Sequence, residues 1–382
     1  MRDDVTFAVE RVWGSCYVRV EADYVIVGAG ISGATIARML ADAGKHVAVV
    51  EARERVGGNC ADVMHPSGFR YNLHGPHFFR TSSPRIQAFV ERFAAFYPYC
   101  ATAVTQVGGE LFPWPLHRST FDRFASVATP APAEPTGRNF ETAMLELLPP
   151  GVYHTFIAGY TSKQWGVPPT RLDADLAKRI EVREDDDLRF SKASFQGMPM
   201  GGYTAWVEAI LDRIPVHLST DIHARDSDVR WRRKLIYTGP IDRFFGHSLG
   251  PLPYRTQERV DLFVPGARSL YPCAQINLSS VKMGRHVRTI EWRHMLAPGE
   301  GPETGTLLTV ETPRDATCWT EAEYPFPSPE AKALYQRYVE LAAERPDVLF
   351  CGRMGEYRYL DMDQAIGRAM LHADRLLRED AE

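Results

Sequence analysis

The stretch DYVIVGAGISGATIARMLADAGKHVAVVEA, Asp23–Ala52, decides the fold. Tyr24–Val27 is an unbroken apolar run, the pattern of a strand buried on both faces. Ile31–Ala43 carries helical periodicity, with Gly44 placed to end it, and HVAVVE follows as a second buried strand. Strand, helix and strand make a βαβ unit, whose crossover is right-handed. Gly28, Gly30 and Gly33 form GxGxxG between the first strand and the helix. These glycines permit a tight turn and let a pyrophosphate approach the helix N-terminus, where Ser32 also lies. Glu51 ends the second strand, where a carboxylate accepts from ribose hydroxyls. This is the pattern of a dinucleotide site.

The continuation EARERVGGN separates FAD from NAD. Ala52, Arg53, the pair Gly57–Gly58 and Asn59 follow the ribose carboxylate in a pattern that resembles the two-part signature of FAD-dependent oxidoreductases. No second GxGxxG follows, so no separate NAD(P)H domain is expected.

Composition sets the frame. The chain has 382 residues, 45% hydrophobic and 24% charged, which is ordinary for a globular protein with two or three domains. A net charge of −4 offers no field for nucleic acid or anionic membrane, so an anionic ligand has to be held by local arginines. The six cysteines are scattered with no CxxC pair, against a zinc site or a disulfide framework. No run approaches the roughly 20 apolar residues of a membrane helix, and the first residues lack the pattern of a signal peptide. The expectation is a cytoplasmic enzyme, without metal, nucleic acid or membrane as partner.

Further organisation follows from pattern. Residues 1–22 read as an extension, 23–100 as the first part of an FAD-binding Rossmann-like domain, and 101–190 as mainly helical, around the proline-rich ATPAPAEPTGR (Ala128–Arg138). Short strand-like runs make 191–340 a β-rich substrate and FAD domain, and 341–382, with a final amphipathic helix, returns to the FAD domain. The expected class is α/β: a Rossmann-like domain, a helical insert and an antiparallel β-sheet domain.

Two segments hold unusual chemistry. LHGPHFFRT, Leu73–Thr81, crowds two histidines and an arginine into one loop, and FIAGYTSKQWG, Phe156–Gly166, carries an aromatic stripe. Residue types alone leave both open to a reading as core. The motifs GYTSKQWG, KRIEVR, QGMPMGGYT, YTGPIDRFFG, LPYRT and GRMGEYRYLDMDQAI, in this order behind the FAD fingerprint, resemble the signatures of the UDP-galactopyranose mutases from Asp23 to the C-terminus. The resemblance implies an isomerase that interconverts the pyranose and furanose forms of a nucleotide-diphosphate sugar. It implies FAD, active when reduced, with N5 acting as nucleophile at the anomeric carbon. A transient reductant, NAD(P)H or another, is implied with it, and a homodimer is left open.

The same resemblance assigns residues. Arg179 and Arg288 match arginines that hold the diphosphate, and Tyr324 and Tyr359 match tyrosines donating to it, in keeping with arginine's planar fork. Phe156, Tyr160, Thr161 and Trp165 match the nucleobase and sugar region, and Asn277 a position near the nucleotide. Arg353, Tyr359, Asp361 and Met362 match positions near the flavin, as does His77. Four positions depart from the pattern of the family. Its second loop histidine is Arg80 here, a tryptophan is Gln87, an asparagine is Ala101 and a tyrosine is Phe190. Arg80 is counted with His77, Arg179 and Arg288 as catalytic and Phe190 as substrate-binding, so a changed sugar or base is expected. The alternatives are a net-redox flavoenzyme resembling amine oxidases, and a non-catalytic nucleotide-sugar or flavin binder.

Overall fold

A computed structural model describes residues 11–12, 15–16, 18–129, 137–225 and 227–380. Much of the N-terminal extension and of the proline-rich connection lies outside these residues. The chain divides into two compact units, Met1–Ala61 with Tyr203–Phe244 and Glu340–Glu382, and Asp62–Gly202 with Phe245–Val339.

The first unit is built on five parallel strands in the order Val216–His217, Val47–Val50, Val18–Val27, Ser227–Tyr237 and Val348–Phe350. Val25, Ile26, Val49, Val50, Leu235 and Ile236 are all fully buried, as a parallel sheet covered on both faces requires. The helix Ile31–Asp42 follows the first long strand and ends before Gly44, whose φ of 75° L-residues with side chains resist. The C-terminal helix Met362–Glu379 lays Ala365, Ile366, Ala369, Met370, Ala373 and Leu376 inward and packs on that first helix.

Three boundaries differ from the sequence expectation. The strand begins at Val18, because Val20 and Ala22 alternate inward and pair with Val229 and Trp231. Residues 203–244, expected in the β-rich domain, instead supply two strands of the parallel sheet. Their central run Leu235–Tyr237 is buried without alternation, the signature of a strand covered on both sides. Residues 62–100, expected beside the βαβ unit, belong to the second unit.

The second unit carries a seven-stranded sheet in the order Glu110–Trp114, Ala103–Val107, Gln275–Leu278, Arg288–Glu291, Thr306–Asp315, Tyr254–Val264, Tyr324–Pro325. Its strands pair antiparallel except Ala103–Val107 with Gln275–Leu278. The expected helical region therefore starts late: Ala103–Trp114 is a hairpin closed by Gly108–Gly109, a two-residue turn that glycines favour. Among the described residues, helical structure dominates Phe121–Ala125, Phe140–Leu145 and the run from Pro150 to Trp165. Phe112, Phe121, Phe124, Phe140, Met144, Phe156 and Trp165 close one apolar cluster around it. A continuous helical run, Pro150–Val152, Tyr153–Ala158 and Gly159–Trp165, contains a π turn over Tyr153–Ala158 and ends at Gly166, φ 71°. The π turn resets which side chains face the sheet beyond it. A small sheet, Phe79–Thr81, Phe195–Pro199 and Phe96–Pro98, holds the end of the histidine loop.

Candidate functional site

In the first unit the glycine turn is shaped by close backbone approach. A Cβ on Gly33 would lie 2.0 Å from the Gly28 carbonyl oxygen, and Gly28 itself has φ 102°. The helix that begins at Gly30 has no side-chain cap and no acidic residue in its first turn. Its first N–H groups have no intrahelical acceptor and face outward with the positive end of the dipole, which suits a pyrophosphate. Gly57 donates to the Ala29 carbonyl over 2.9 Å, drawing the Gly57–Gly58 turn against Gly30. Glu51 is buried and accepts the Ala29 N–H at 2.7 Å on Oε2 and the Arg53 N–H at 2.8 Å on Oε1. Each oxygen keeps a lone pair for a ribose hydroxyl. Arg53 reaches Asn59 Oδ1 at 3.3 Å from both terminal nitrogens. Buried Ser32 lies beside Gly352, and Ala52 follows Glu51 directly. Arg353 donates to the Leu360 carbonyl at 2.7 Å and lies 4.7 Å over the Tyr359 ring, while Asp361 caps the helix begun by buried Met362. This cradle fits a dinucleotide.

The second unit presents a different arrangement. Pairing puts Thr105, Asn277, Arg288, Glu311 and Arg259 opposite one another on five neighbouring strands, in one row on one face. Glu311, with no exposed side-chain area, bridges two arginines: its Oε2 accepts from Arg288 Nε and its Oε1 from Arg259 Nε at 2.9 Å. The fork of Arg259 grips Glu323 at 2.7 and 2.8 Å, and Glu323 also meets His74 Nδ1 at 3.0 Å. Burial pushes the Glu323 carboxyl up, yet Arg259 and His74 hold it down at about 2. Burial alone would lower the Arg288 guanidinium, but Glu311, Tyr324 and Tyr160 raise it well above its ordinary value, so it stays charged. Arg288 Nη2 donates to the Tyr324 hydroxyl at 3.3 Å. That oxygen accepts, so its own proton points elsewhere. The Arg288 Nη1 amino group has no partner among the described residues. Asn277 Oδ1 accepts from Gln275 at 3.0 Å, leaving its amide N–H groups for another acceptor.

The loop Leu73–Thr81 rests against this row. Gly75 has φ 84°, and a Cβ there would stand 2.7 Å from Glu311 Oε1 and 3.1 Å from Arg288 Nη2. His77 Nδ1 meets the Gly75 carbonyl at 2.8 Å, and its backbone N–H donates to Asn72 Oδ1 at 3.2 Å. Farther along, the Arg80 guanidinium lies 5.4 Å over the Phe190 ring. The Phe190 N–H donates to the Ala101 carbonyl at 2.6 Å, and Phe78 touches both Phe190 and Tyr99. Three of the four departures read in the sequence, Arg80, Ala101 and Phe190, thus meet in one patch, while Gln87 lies on the helix Pro84–Val90.

Other candidates separate from these groups. Phe156, expected to contact substrate, is 1% exposed, with its ring edge-on to Phe112 at 5.5 Å and Phe124 at 5.0 Å. It is a core residue with no face left for a ligand. Trp165 is buried too and packs edge-on against Phe326 at 5.9 Å. Thr161 is buried, whereas Tyr160 is half-buried and bears on Arg288. Arg179 is exposed at the end of the short helix Ala174–Arg179. Arg259, Glu311 and Glu323 were missed from sequence, and His74 was noted only as one of the two histidines of its loop. The available signal was charge inside strand-like runs, Glu311 in GTLLTVETP above all, since an ion buried in a sheet demands a partner. Among the described residues no group of three His, Cys, Asp or Glu is disposed to hold a metal ion, and no helix is long and apolar enough to cross a membrane.

Comparison with known proteins agrees with this arrangement. Residues 155–359 match the family model for UDP-galactopyranose mutase, and residues 26–93 that of an NAD(P)-binding Rossmann-like domain. A probable UDP-galactopyranose mutase of Klebsiella pneumoniae is 32% identical over 92% of this chain and 94% of its own. The dTDP-fucopyranose mutase of Escherichia coli is 27% identical over 94% of this chain and 99% of its own. The crystal structure of a reduced UDP-galactopyranose mutase superposes with a TM-score of 0.77 at 17% identity, covering 94% of this chain and 95% of that one. The glycine cradle, the arginine row and these likenesses together place the chain in the UDP-galactopyranose mutase family, FAD-dependent isomerases of nucleotide sugars.

Proposed function

We propose that this protein interconverts the pyranose and furanose forms of a nucleoside-diphosphate sugar other than UDP-galactopyranose. The observation that carries the reading is the patch in which the Arg80 guanidinium covers Phe190 and Phe190 is tied to Ala101. Three of the four residues that depart from the family pattern, Arg80, Phe190 and buried Ala101, meet here, as expected when a single ligand group has been exchanged. The dTDP-fucopyranose mutase relative acts, by its name, on another sugar and another base, and lends the idea weight.

When bound and reduced, FAD supplies an electron-rich nitrogen toward the sugar's anomeric carbon. Gly28, Gly30, Ser32, Gly33, Glu51, Ala52, Arg53, Gly57, Gly58, Asn59, Arg353, Tyr359, Asp361 and Met362 would hold it, and for His77 the flavin role rests on the resemblance. The chain's work on the substrate is electrostatic. Breaking the sugar–oxygen bond leaves the nucleoside diphosphate with one more negative charge, three in all, and Arg288, charged and with an open Nη1 edge, binds it. Tyr324 brings its hydroxyl beside Arg288, Asn277 offers its amide N–H groups from the same row, and Tyr160 lies beside Arg288. Arg179 supplies a second cation from its exposed position. Arg80 and Phe190 read the part of the substrate that differs from galactose. A cytoplasmic setting, a transient NAD(P)H-type reductant and a homodimer complete this reading.

The test is to incubate dithionite-reduced holoprotein with UDP-galactopyranose and with a panel of UDP-, dTDP- and GDP-sugars, and to follow furanose formation by NMR. A non-galactose or non-uridine substrate should exceed UDP-galactose at least tenfold in kcat/KM. Efficient turnover of UDP-galactose alone would overturn the proposal.

A further inference from the structure

We infer that Glu311 is a positioning residue that sets how tightly this protein holds a nucleoside diphosphate, by neutralising the arginine that binds it. The inference rests on the reading that Arg288 meets the diphosphate. Its own ground is the charge count of the row. Arg288 and Arg259 contribute two positive charges, Glu311 and Glu323 two negative ones, all four with side chains at most 15% exposed. These four charges cancel, and His74, paired with Glu323, adds a positive charge only when protonated. Simple phosphate capture would favour leaving Arg288 uncompensated. Instead Glu311 sits between the two arginines with no solvent access, and the Gly75 backbone closes over it.

A mutase has a reason for this arrangement. Its diphosphate has to depart from the sugar, remain nearby and then return to it. An arginine with its full charge unscreened in a buried site would hold the released diphosphate, now a trianion, too well, and the returning step would slow. A glutamate on Nε leaves the Nη1 edge available for hydrogen bonds while reducing the Coulomb term behind them. Glu311 also fixes the plane of the guanidinium from the far side, so orientation and reduced charge come from one carboxylate.

The two roles separate experimentally. Glu311→Gln preserves shape and one acceptor but removes the charge. At an effective dielectric of about 20, losing one negative charge beside the binding arginine should tighten UDP and dTDP binding roughly ten- to a hundredfold. Calorimetry on the FAD-loaded protein reads this directly. The KM of the best sugar nucleotide should fall with it, and kcat should fall or stay level. Glu311→Asp keeps the charge and should bind both nucleotides within about threefold of the parent. Weaker or unchanged binding in Glu311→Gln, with Arg288→Ala abolishing binding, would overturn the inference and leave the Arg288 reading intact. Undiminished binding in Arg288→Ala would overturn the reading itself. Should Glu311→Gln lose its FAD or its fold, Glu323→Gln removes the same charge one residue farther away. It should tighten binding a few-fold, and no tightening there overturns the inference equally.

Discussion

Glu51→Gln tests the nucleotide cradle most directly. The carboxylate is 7% exposed and takes two backbone N–H groups on separate oxygens, Ala29 at 2.7 Å and Arg53 at 2.8 Å. It therefore ties the glycine turn to the loop after the second strand before any cofactor arrives. Glutamine keeps one oxygen and turns an NH2 toward the other N–H, setting donor against donor. One charge-assisted bond, about 1.5–3 kcal/mol, becomes a neutral one of about 1 kcal/mol. The other is lost and leaves a buried N–H unsatisfied, at about 1–3 kcal/mol. The sum is about 4 kcal/mol, close to a thousandfold in the folding equilibrium of the first unit. Urea unfolding of FAD-free protein should show this loss. Flavin fluorescence should show weaker FAD binding on top of it, since a ribose hydroxyl loses its anionic acceptor. FAD-free stability within 1 kcal/mol of the parent would refute the argument. The carboxylate would then serve the ligand alone, and the two backbone bonds would be incidental to the fold.

Three further outcomes follow from other parts of the molecule. Phe156→Ala should cost about 3–5 kcal/mol of stability, since it empties a closed aromatic cluster, while leaving the KM of the folded fraction unchanged; a tenfold rise in KM would return Phe156 to the ligand. The Arg80–Phe190 pair should show a coupling of about 0.5–1 kcal/mol in a double-mutant cycle of Arg80→Gln with Phe190→Leu, read by thermal unfolding; additivity within 0.3 kcal/mol would dissolve the pair. Acid should destabilise the second unit. Glu323 titrates at about 2 when folded against an ordinary 4.5, so its contribution is complete above about 4.5 and disappears as pH falls toward 2. That gap is worth about 3 kcal/mol. Unfolding midpoints at pH 7, 4 and 3 should fall in that order, and Glu323→Gln should flatten the fall.

What could be read from the chain alone follows the physics of each element. The βαβ unit was legible because turn glycines, helix periodicity and buried strands sit within thirty contiguous residues. The amphipathic C-terminal helix was legible for the same local reason. The hairpin Ala103–Trp114 was hidden among helical patterns, though Gly108–Gly109 marked its turn. Leu235–Tyr237 looked like one more β-rich strand, because its partners Val25–Val27 and Val348–Phe350 lie more than a hundred residues away in both directions. In the site, Arg288, Tyr324 and Asn277 came from resemblance. Arg259, Glu311 and Glu323 did not, since a buried ion network depends on strand register, and register is not written in any one strand. Phe156 failed for the opposite reason: an aromatic helix stripe looks alike whether it meets a ligand or a core.

The parallel sheet has a consequence for the order of events during synthesis. Its central strand Val18–Val27 emerges early, one neighbour arrives after residue 227, and the outermost strand and the helix packed on Ile31–Asp42 come only with the last forty residues. The glycine turn that cradles the cofactor is thus translated first and supported last. Until the helix Met362–Glu379 leaves the ribosome, the face of the first helix that it covers stays wet. Stable FAD capture therefore waits for this helix, and loss of residues 362–379 should yield a protein that is made but colourless.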